Sequence, residues 1–472
     1  MKKTKIVATI GPATSSYERL NEIINEGVDV IRLNFSHGTH DDHASVIKHV
    51  RKINDETENN IALLADLQGP KLRIDTVKDN GIELEDGKEI IISTIEVVGT
   101  PKKISTNYQM FAKDVNVDEE VRLDDGKIHL RIVKTNKKDE VVCEIVHGGI
   151  LSSKKGINLP NTNISLPCLT KKDLIDLDFA LEQDVDWIGL SFVRTAEDIK
   201  ELKDIIAERK KHALVIAKIE KPEALDVIDD IIDATDAVMV ARGDLGVEIP
   251  MQNVPLVQKM LVKKCQQNSK PVIVATQMME SMISNITPTR AEVNDVANAV
   301  LDGTDAVMLS GETSVGKFPV DVIKSMVKII DRVEDYDNVY YHETPPAVSA
   351  EDRFVSDSIC YNACRLSKRV GAKAISTMTF SGYTGMKVSS QRPKANIFVF
   401  TGNKKILTLM NLVWGVKAFY YDKMVSTDHT IADIKYILKK KKMVQDEDLI
   451  INIASMPIAE QGMSNMLKLS KA

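Results

Sequence analysis

No apolar run in this chain of 472 residues approaches the length needed to cross a membrane. The opening MKKTKIVATIG has only a six-residue stretch, Ile6 to Gly11, before Pro12, too little for a secretory signal. Cysteine is scarce: five residues, at positions 143, 168, 265, 360 and 364, an odd number that suits reduced thiols in the cytoplasm better than a disulfide framework. Cys360 and Cys364 have helical i,i+4 spacing, but no His or Cys cluster nearby completes a metal site, so core packing is expected. Excess positive charge is also missing. The formal net charge is -6 and the pI about 5.9, which leaves no basic footprint for nucleic acid. The run Lys439 to Lys442 reads as a solvated helix end. There is no GxxxxGK[ST] loop, no kinase-type glycine-rich loop and no Ser-His-Asp set with an elbow motif. What remains is 43% hydrophobic and 28% charged, the composition of a globular protein. The length implies roughly two to four domains.

Eight short apolar runs are present: KIVATIG (5–11), VDVIRLNFS (28–36), IALLADL (61–67), VDWIGLSFV (185–193), ALVIAKIE (213–220), DAVMVARGD (236–244), PVIVATQ (271–277) and DAVMLSGE (305–312). They do not alternate, which suits strands of a parallel sheet buried on both faces. Helical segments lie between most of them, such as TSSYERLNEIINEG (14–27), with Thr/Ser cap candidates and a stop at Gly27. Eight such units predict a (β/α)8 TIM barrel, with a doubly wound open sheet as the alternative. Between the third and fourth runs the pattern changes to short alternating strands with Asp86-Gly87 and Asp125-Gly126 turns. This predicts a small β-barrel lid inserted in a loop on the catalytic face. After a Pro-containing linker candidate at 340–352, KAISTMTF, NIFVFTG, VKAFYY and DLIINIAS read as strands of a smaller α/β domain. The expected division is barrel 1–70 and 168–345, lid 71–167 and C-terminal α/β domain 346–472.

The ends of the apolar runs are polar. The second ends in Arg32, Asn34, Ser36 and His37, the third in Asp66 and the fifth in Lys218 and Glu220. The sixth ends in Asp244, the seventh in Thr276 and the eighth in Ser310 and Glu312. In a barrel these converge on one mouth. Taken singly, each has an ordinary alternative as a helix cap or a plain ion pair. Together they are costly unless paired or liganded. Glu220 and Asp244 are hard oxygen donors fit for Mg²⁺ or Mn²⁺, and Arg32, Arg73 and Lys218 supply positive charge toward phosphate or carboxylate. ARGDLG (241–246) adds backbone N–H groups. Phosphoryl transfer needs this combination of positioning and charge neutralisation.

RLNFSHG (32–38), SKKGINLP (153–160), AKIEKPEA (217–224), VARGDLGVEIP (240–250), ATQMMESM (275–282) and PTRAEVNDVANAVLDGTDAVMLSGET (288–313) resemble pyruvate kinase. The resemblance runs from Lys3 to GMSN (462–465), and the short leader is similar to the bacterial form. It implies a barrel, a lid, a C-terminal effector domain and a homotetramer, with transfer of phosphate from phosphoenolpyruvate to ADP. On it, Lys218 stabilises the transferring group, Glu220 and Asp244 hold Mg²⁺, and Arg32 contacts the phosphate. Thr276 and the backbone of Gly243 and Asp244 orient the substrate carboxylate, with Thr276 near the protonated face of the enolate. Asn34, His37, Arg73 and Lys155 face the nucleotide. In most members a K⁺ ion is held by residues matching Asn34, Ser36, Asp66 and the carbonyl of Leu67.

Two departures stand out. Where the family pattern is Asp-Thr-Lys-Gly-Pro-Glu-Ile-Arg, this chain has Asp66-Leu67-Gln68-Gly69-Pro70-Lys71-Leu72-Arg73, which resembles the subset that works without K⁺. Lys71 is then expected to stand in for the ion, with neutral drift as the alternative. In TMTFSGYTG, Thr379, Ser381, Gly382 and Thr384 are expected to bind the phosphate of an effector, or else to form an ordinary helix-capping turn. Phe380 replaces a Lys of some fructose 1,6-bisphosphate-activated members, so the effector is not identified. The competing activities are another phosphoenolpyruvate-handling barrel, such as a dikinase or class II aldolase-like lyase, and a catalytically dead effector-binding paralogue.

Overall fold

The computed structural model describes residues 1–57, 59–162, 164–346, 353–423, 426–456 and 462–472. All eight apolar runs become strands of one closed parallel barrel: Lys5–Thr9, Val30–Asn34, Ala62–Asp66, Trp187–Leu190, Leu214–Ile219, Ala237–Ala241, Val272–Ala275 and Ala306–Leu309. The first strand closes on the last in the register Lys5↔Ala306 to Ala8↔Leu309. The runs lack alternation because both faces are covered. Ile6, Ile31 and Leu63 pack outward against the helices, whereas Val7, Val30, Leu64, Ile216 and Ile273 fill the barrel. The inner cluster continues through Trp187 into Trp414, Val416 and Ile451 of the C-terminal domain. Local signals set the helix starts. Ser16 Oγ accepts from Arg19 N before Tyr17–Asn25, and Thr170 and Thr289 form capping boxes with Asp173 and Glu292.

Between the third and fourth barrel strands stands a lid with its own core, including Ile90, Phe111, Ile132 and Cys143. Six of its strands form one sheet, in the order Ile157–Asn158, Glu120–Leu123, Ile128–Thr135, Glu140–His147, Glu89–Ser93 and Lys103–Ser105. Gly149–Leu151 and Ile82–Leu84 form a separate ribbon. The Asp125-Gly126 turn joins two adjacent strands of the large sheet, as its sequence predicts. The Asp86-Gly87 turn instead passes from the ribbon to the large sheet.

The C-terminal sheet has the four expected parallel strands (Val416–Tyr420, Asn396–Thr401, Ala374–Met378 and Leu449–Ala454) and a fifth, Met466–Lys471, running antiparallel along the edge. The sequence reading missed that strand. MLKLSK is lysine-bearing and half exposed, as an edge strand protected from further pairing should be, so it lacks the apolar signature of its neighbours. Part of the expected linker, 347–352, lies outside the described residues, as does 457–461 of the closing segment. Cys360 and Cys364 are buried in the core as expected. Among the described residues, no helix is long and apolar enough to cross a membrane.

Candidate active site

At the C-terminal mouth of the barrel, Lys218 at the end of the fifth strand is buried. Its Nζ lies 2.9 Å from Glu220 Oε1 and 3.1 Å from Asp66 Oδ1, and donates to Ser191 Oγ at 2.6 Å. Burial opposes its charge, but Asp66 and Glu220 outweigh that and hold its pKa above the usual lysine value. Arg32, from the second strand, donates through Nε to Asp66 Oδ2 at 2.7 Å and through Nη1 to Thr9 Oγ1 at 2.8 Å. Burial would raise the Asp66 pKa, yet Lys218 and Arg32 keep it below the usual carboxylate range. Two cations thus share one carboxylate and point into the mouth already charged.

Glu220 behaves differently. Its pKa is raised, first by burial and then by the charge of Asp244, against the opposing pull of Lys218. Its Oε2 accepts from Phe192 N at 2.7 Å. Two carboxylates that repel, Glu220 buried and Asp244 partly exposed at the mouth, suit a divalent cation that takes its remaining oxygens from substrate and water. Among the described residues no group of three or more His, Cys, Asp or Glu side chains forms a metal cage. Asp244 sits in the first turn of the helix Arg242–Glu248. On the same turn Gly243 N donates to Thr276 Oγ1 at 2.8 Å, and the Thr276 hydroxyl donates to Ala275 O at 2.6 Å. A Cβ at Gly243 would lie 3.3 Å from that hydroxyl oxygen. Thr276 has φ +67°, Gln277 +55° and Phe192 +57°, values a β-branched or bulky residue adopts only under constraint. The constraint on Thr276 is Arg242, which donates to Ala275 O and Thr276 O and ion-pairs with Asp295 at 2.7 Å.

The residues expected to face the nucleotide are spread over the mouth and the lid. His37 faces Arg73, Arg32 and Lys71, and its pKa is lowered by burial and by those charges. Arg73 Nη1 donates to Lys154 O at 2.9 Å, while Lys155 Nζ ion-pairs with Asp124 at 2.8 Å, inside the lid. Lys71 Nζ lies 3.4 Å from Asp244 Oδ1, so it meets the expected Mg²⁺ ligand rather than Asp66. Around Asp66, Asn34 Oδ1 accepts from Ser36 N at 3.1 Å and Leu67 O accepts from Ser191 Oγ at 2.7 Å. Of the other run-end residues, Glu312 accepts from Met279 N and Ser310 N and so acts as a backbone clamp.

Thr379, Ser381 and Thr384 are elsewhere, lining a cavity of about 410 Å³ in the C-terminal domain, while Gly382 caps the helix Tyr383–Ser390 beside it and is not part of the lining. Gly382 N donates to Thr379 Oγ1 at 3.1 Å and Thr384 Oγ1 pairs with Ser464 at 3.0 Å. The cavity also holds Arg353, whose guanidinium lies 4.2 Å from the Tyr383 ring centre. Sequence reasoning missed Arg353, Ser191 and Thr9. Thr9 and Ser191 lie inside two of the apolar runs, where a lone hydroxyl carries no charge to mark it, and Arg353 lies in none of the quoted segments; each reaches its site from a separate part of the chain.

Residues 1–323 match the family model "Pyruvate kinase, barrel domain", and residues 357–470 match "Pyruvate kinase, alpha/beta domain". Pyruvate kinase from Geobacillus stearothermophilus is 41% identical over 472 residues, covering 99% of this chain and 80% of that protein. Pyruvate kinase from Corynebacterium efficiens is 42% identical over 466 residues, covering 99% and 97%. A crystal structure of a pyruvate kinase from Cryptosporidium parvum superposes with a TM-score of 0.93 at 33% identity, covering 100% of this chain and 96% of the other.

Proposed function

The chain belongs to the pyruvate kinase family of phosphotransferases, acting on phosphoenolpyruvate and ADP, and from that premise we propose that it works with Mg²⁺ or Mn²⁺ and without K⁺. The observation that carries the reading is the buried set of Lys218, Glu220, Asp66 and Arg32 at the mouth, beside Asp244 and Thr276.

Arg32 and Lys218 receive the phosphate of phosphoenolpyruvate, and the Gly243–Asp244 backbone with Thr276 orients its carboxylate. Asn34, His37, Arg73 and Lys155 hold the nucleotide, with its terminal phosphate oxygen in line with the phosphorus. That oxygen forms the new P–O bond as the bond to the enol oxygen breaks. Lys218 stays beside the phosphoryl oxygens throughout and offsets their charge. The enolate left behind takes a proton through water on the Thr276 side, because a threonine hydroxyl is too weak an acid to give its own. Glu220 and Asp244 are the residues that hold the divalent ion, which neutralises charge on the phosphates when bound.

Lys71, seated against Asp244 rather than among Asn34, Ser36, Asp66 and Leu67, supplies a tethered positive charge at the mouth in place of a free ion, at no cost of ion binding. A coupled assay of pyruvate formation in buffer free of Na⁺ and K⁺ tests this. Full activity is expected without K⁺, and a tenfold rise on adding K⁺ would refute it. Lys71→Glu is expected to create a K⁺ response. The Ser381–Thr384 loop with Arg353 is proposed to bind a phosphorylated effector, and the enzyme to be a cytoplasmic homotetramer. A thermal-shift panel of sugar phosphates and nucleotides tests the effector site, and light scattering tests the assembly.

A further inference from the structure

The lid meets the barrel at the very helix that carries Asp244. Arg242–Glu248 is seven residues long, about 10 Å at the usual rise per residue. At its start, Lys71 from the lid hinge approaches Asp244. At its end, Arg122 Nη1 of the lid donates to Val247 O at 2.6 Å, and Asn158 Nδ2 donates to Glu248 Oε1 at 2.8 Å. The lid turn at Gly126 lies directly over Val247, whose Cγ1 would be 3.4 Å from a Cβ there. Glu248 is buried and also pairs with Lys221 at 2.9 Å, a partner equally hidden from solvent. Lys221 directly follows Glu220 in the chain, and Glu248 is one helical turn beyond Asp244. One buried ion pair therefore joins the segments bearing both expected metal ligands, and a lid amide grips it. Glu248 Oε2 has no hydrogen-bond partner among the described residues, so Asn158 is the one lid donor seen on this carboxylate.

We propose that Asn158 and Arg122 are positioning residues: by docking on Glu248 and Val247, the lid sets the spacing of Glu220 and Asp244 and thereby tunes metal affinity. The inference rests on the reading that these two carboxylates hold the divalent ion. A short helix embedded in a close-packed interior moves as a unit, so a lid that lets go of its last turn displaces its first. Metal sites tolerate only ~0.5 Å of ligand displacement, so that shift is felt as lost affinity. Neither Asn158 nor Arg122 is itself a ligand.

The test is Mn²⁺ binding to the full-length enzyme, followed by the electron spin resonance signal of free Mn²⁺ with no substrate present. Asn158→Ala and Arg122→Ala are each expected to weaken Mn²⁺ binding about fivefold, and Glu220→Gln to abolish it. Both lid variants leave the Glu248–Lys221 pair in place, and a thermal melt checks that each is folded. If Glu220→Gln abolishes binding while both lid variants bind Mn²⁺ like the wild type, the lid contact is merely structural and the proposal is overturned alone. If Glu220→Gln binds normally, the metal assignment falls and the proposal with it.

Discussion

Buried lysines at the two ends of the barrel shift in opposite directions. At the mouth, Lys218 is surrounded by side chains, two of them carboxylates, and its pKa rises. At the floor, Lys3 donates to two main-chain carbonyls, Pro393 O at 3.1 Å and Ala395 O at 2.8 Å, near Glu334 and the rings of Tyr340 and Trp414. Burial there outweighs the pull of Glu334, and its pKa falls to about 7. Other floor charges follow the same habit. Glu334 accepts from Lys3 N and Thr4 N, Lys5 donates to Val416 O, and Arg392 donates to Gly303 O besides pairing with Asp305. Charges tied to the main chain cannot change partners and so fasten the C-terminal domain to the barrel. Charges tied to other side chains can exchange partners when a substrate phosphate arrives. Both ends bury charge, but only the mouth keeps it available for chemistry.

The comparison breaks most visibly at Lys218. Lys218→Met is expected to lower kcat by about 10³-fold or more in steady-state assays, since on the proposed mechanism it removes the charge beside the transferring group. A small change in kcat would place that lysine with the structural ones. The floor should respond in the opposite way. Arg392→Met leaves the buried Asp305 charge with only the Val272 and Trp414 amides as partners, and is expected to cost about 3 kcal/mol in denaturant unfolding while kcat stays within twofold of wild type. The smallest effect sharpens the floor by pH. Asp186 accepts from Leu63 N at 2.7 Å and from the Thr408 hydroxyl across the domain seam, and burial raises its pKa to about 6. The folded protein therefore holds its proton more tightly than the unfolded chain, so this group's stabilisation is present near pH 4 and is lost as pH rises through 6. Asp186→Asn, which mimics the protonated form, is expected to exceed wild-type stability at pH 7 by about 1–2 kcal/mol. The advantage should vanish below pH 4.

The barrel was readable because eight uninterrupted Val/Ile/Ala/Leu runs have no other economical use in a chain of this kind. The mouth was readable because charges at the ends of such runs are costly without a purpose. The edge strand Met466–Lys471 was not, because its solvent face makes it look like a polar tail. Arg353 was not, because it reaches the C-terminal cavity from a helix start with no motif of its own. Lys71 was half readable. Its charge was predicted to serve the site, but its partner, Asp244, lies 173 residues further along the chain.

By itself, the sequence determined eight buried parallel strands with Arg32, Asp66, Lys218, Glu220, Asp244 and Thr276 at or near their C-terminal ends; closure into one barrel was its leading expectation and is what the structure shows. Strand order and side-chain polarity are local properties, written into spacing and composition. Only the tertiary structure decided which charges share a partner, that Thr276 is held at positive φ by Arg242, and that the lid lands on the helix of Asp244. Those outcomes depend on through-space distances between remote segments, and Coulomb energy and hydrogen bonding are set by distance in space, not along the chain.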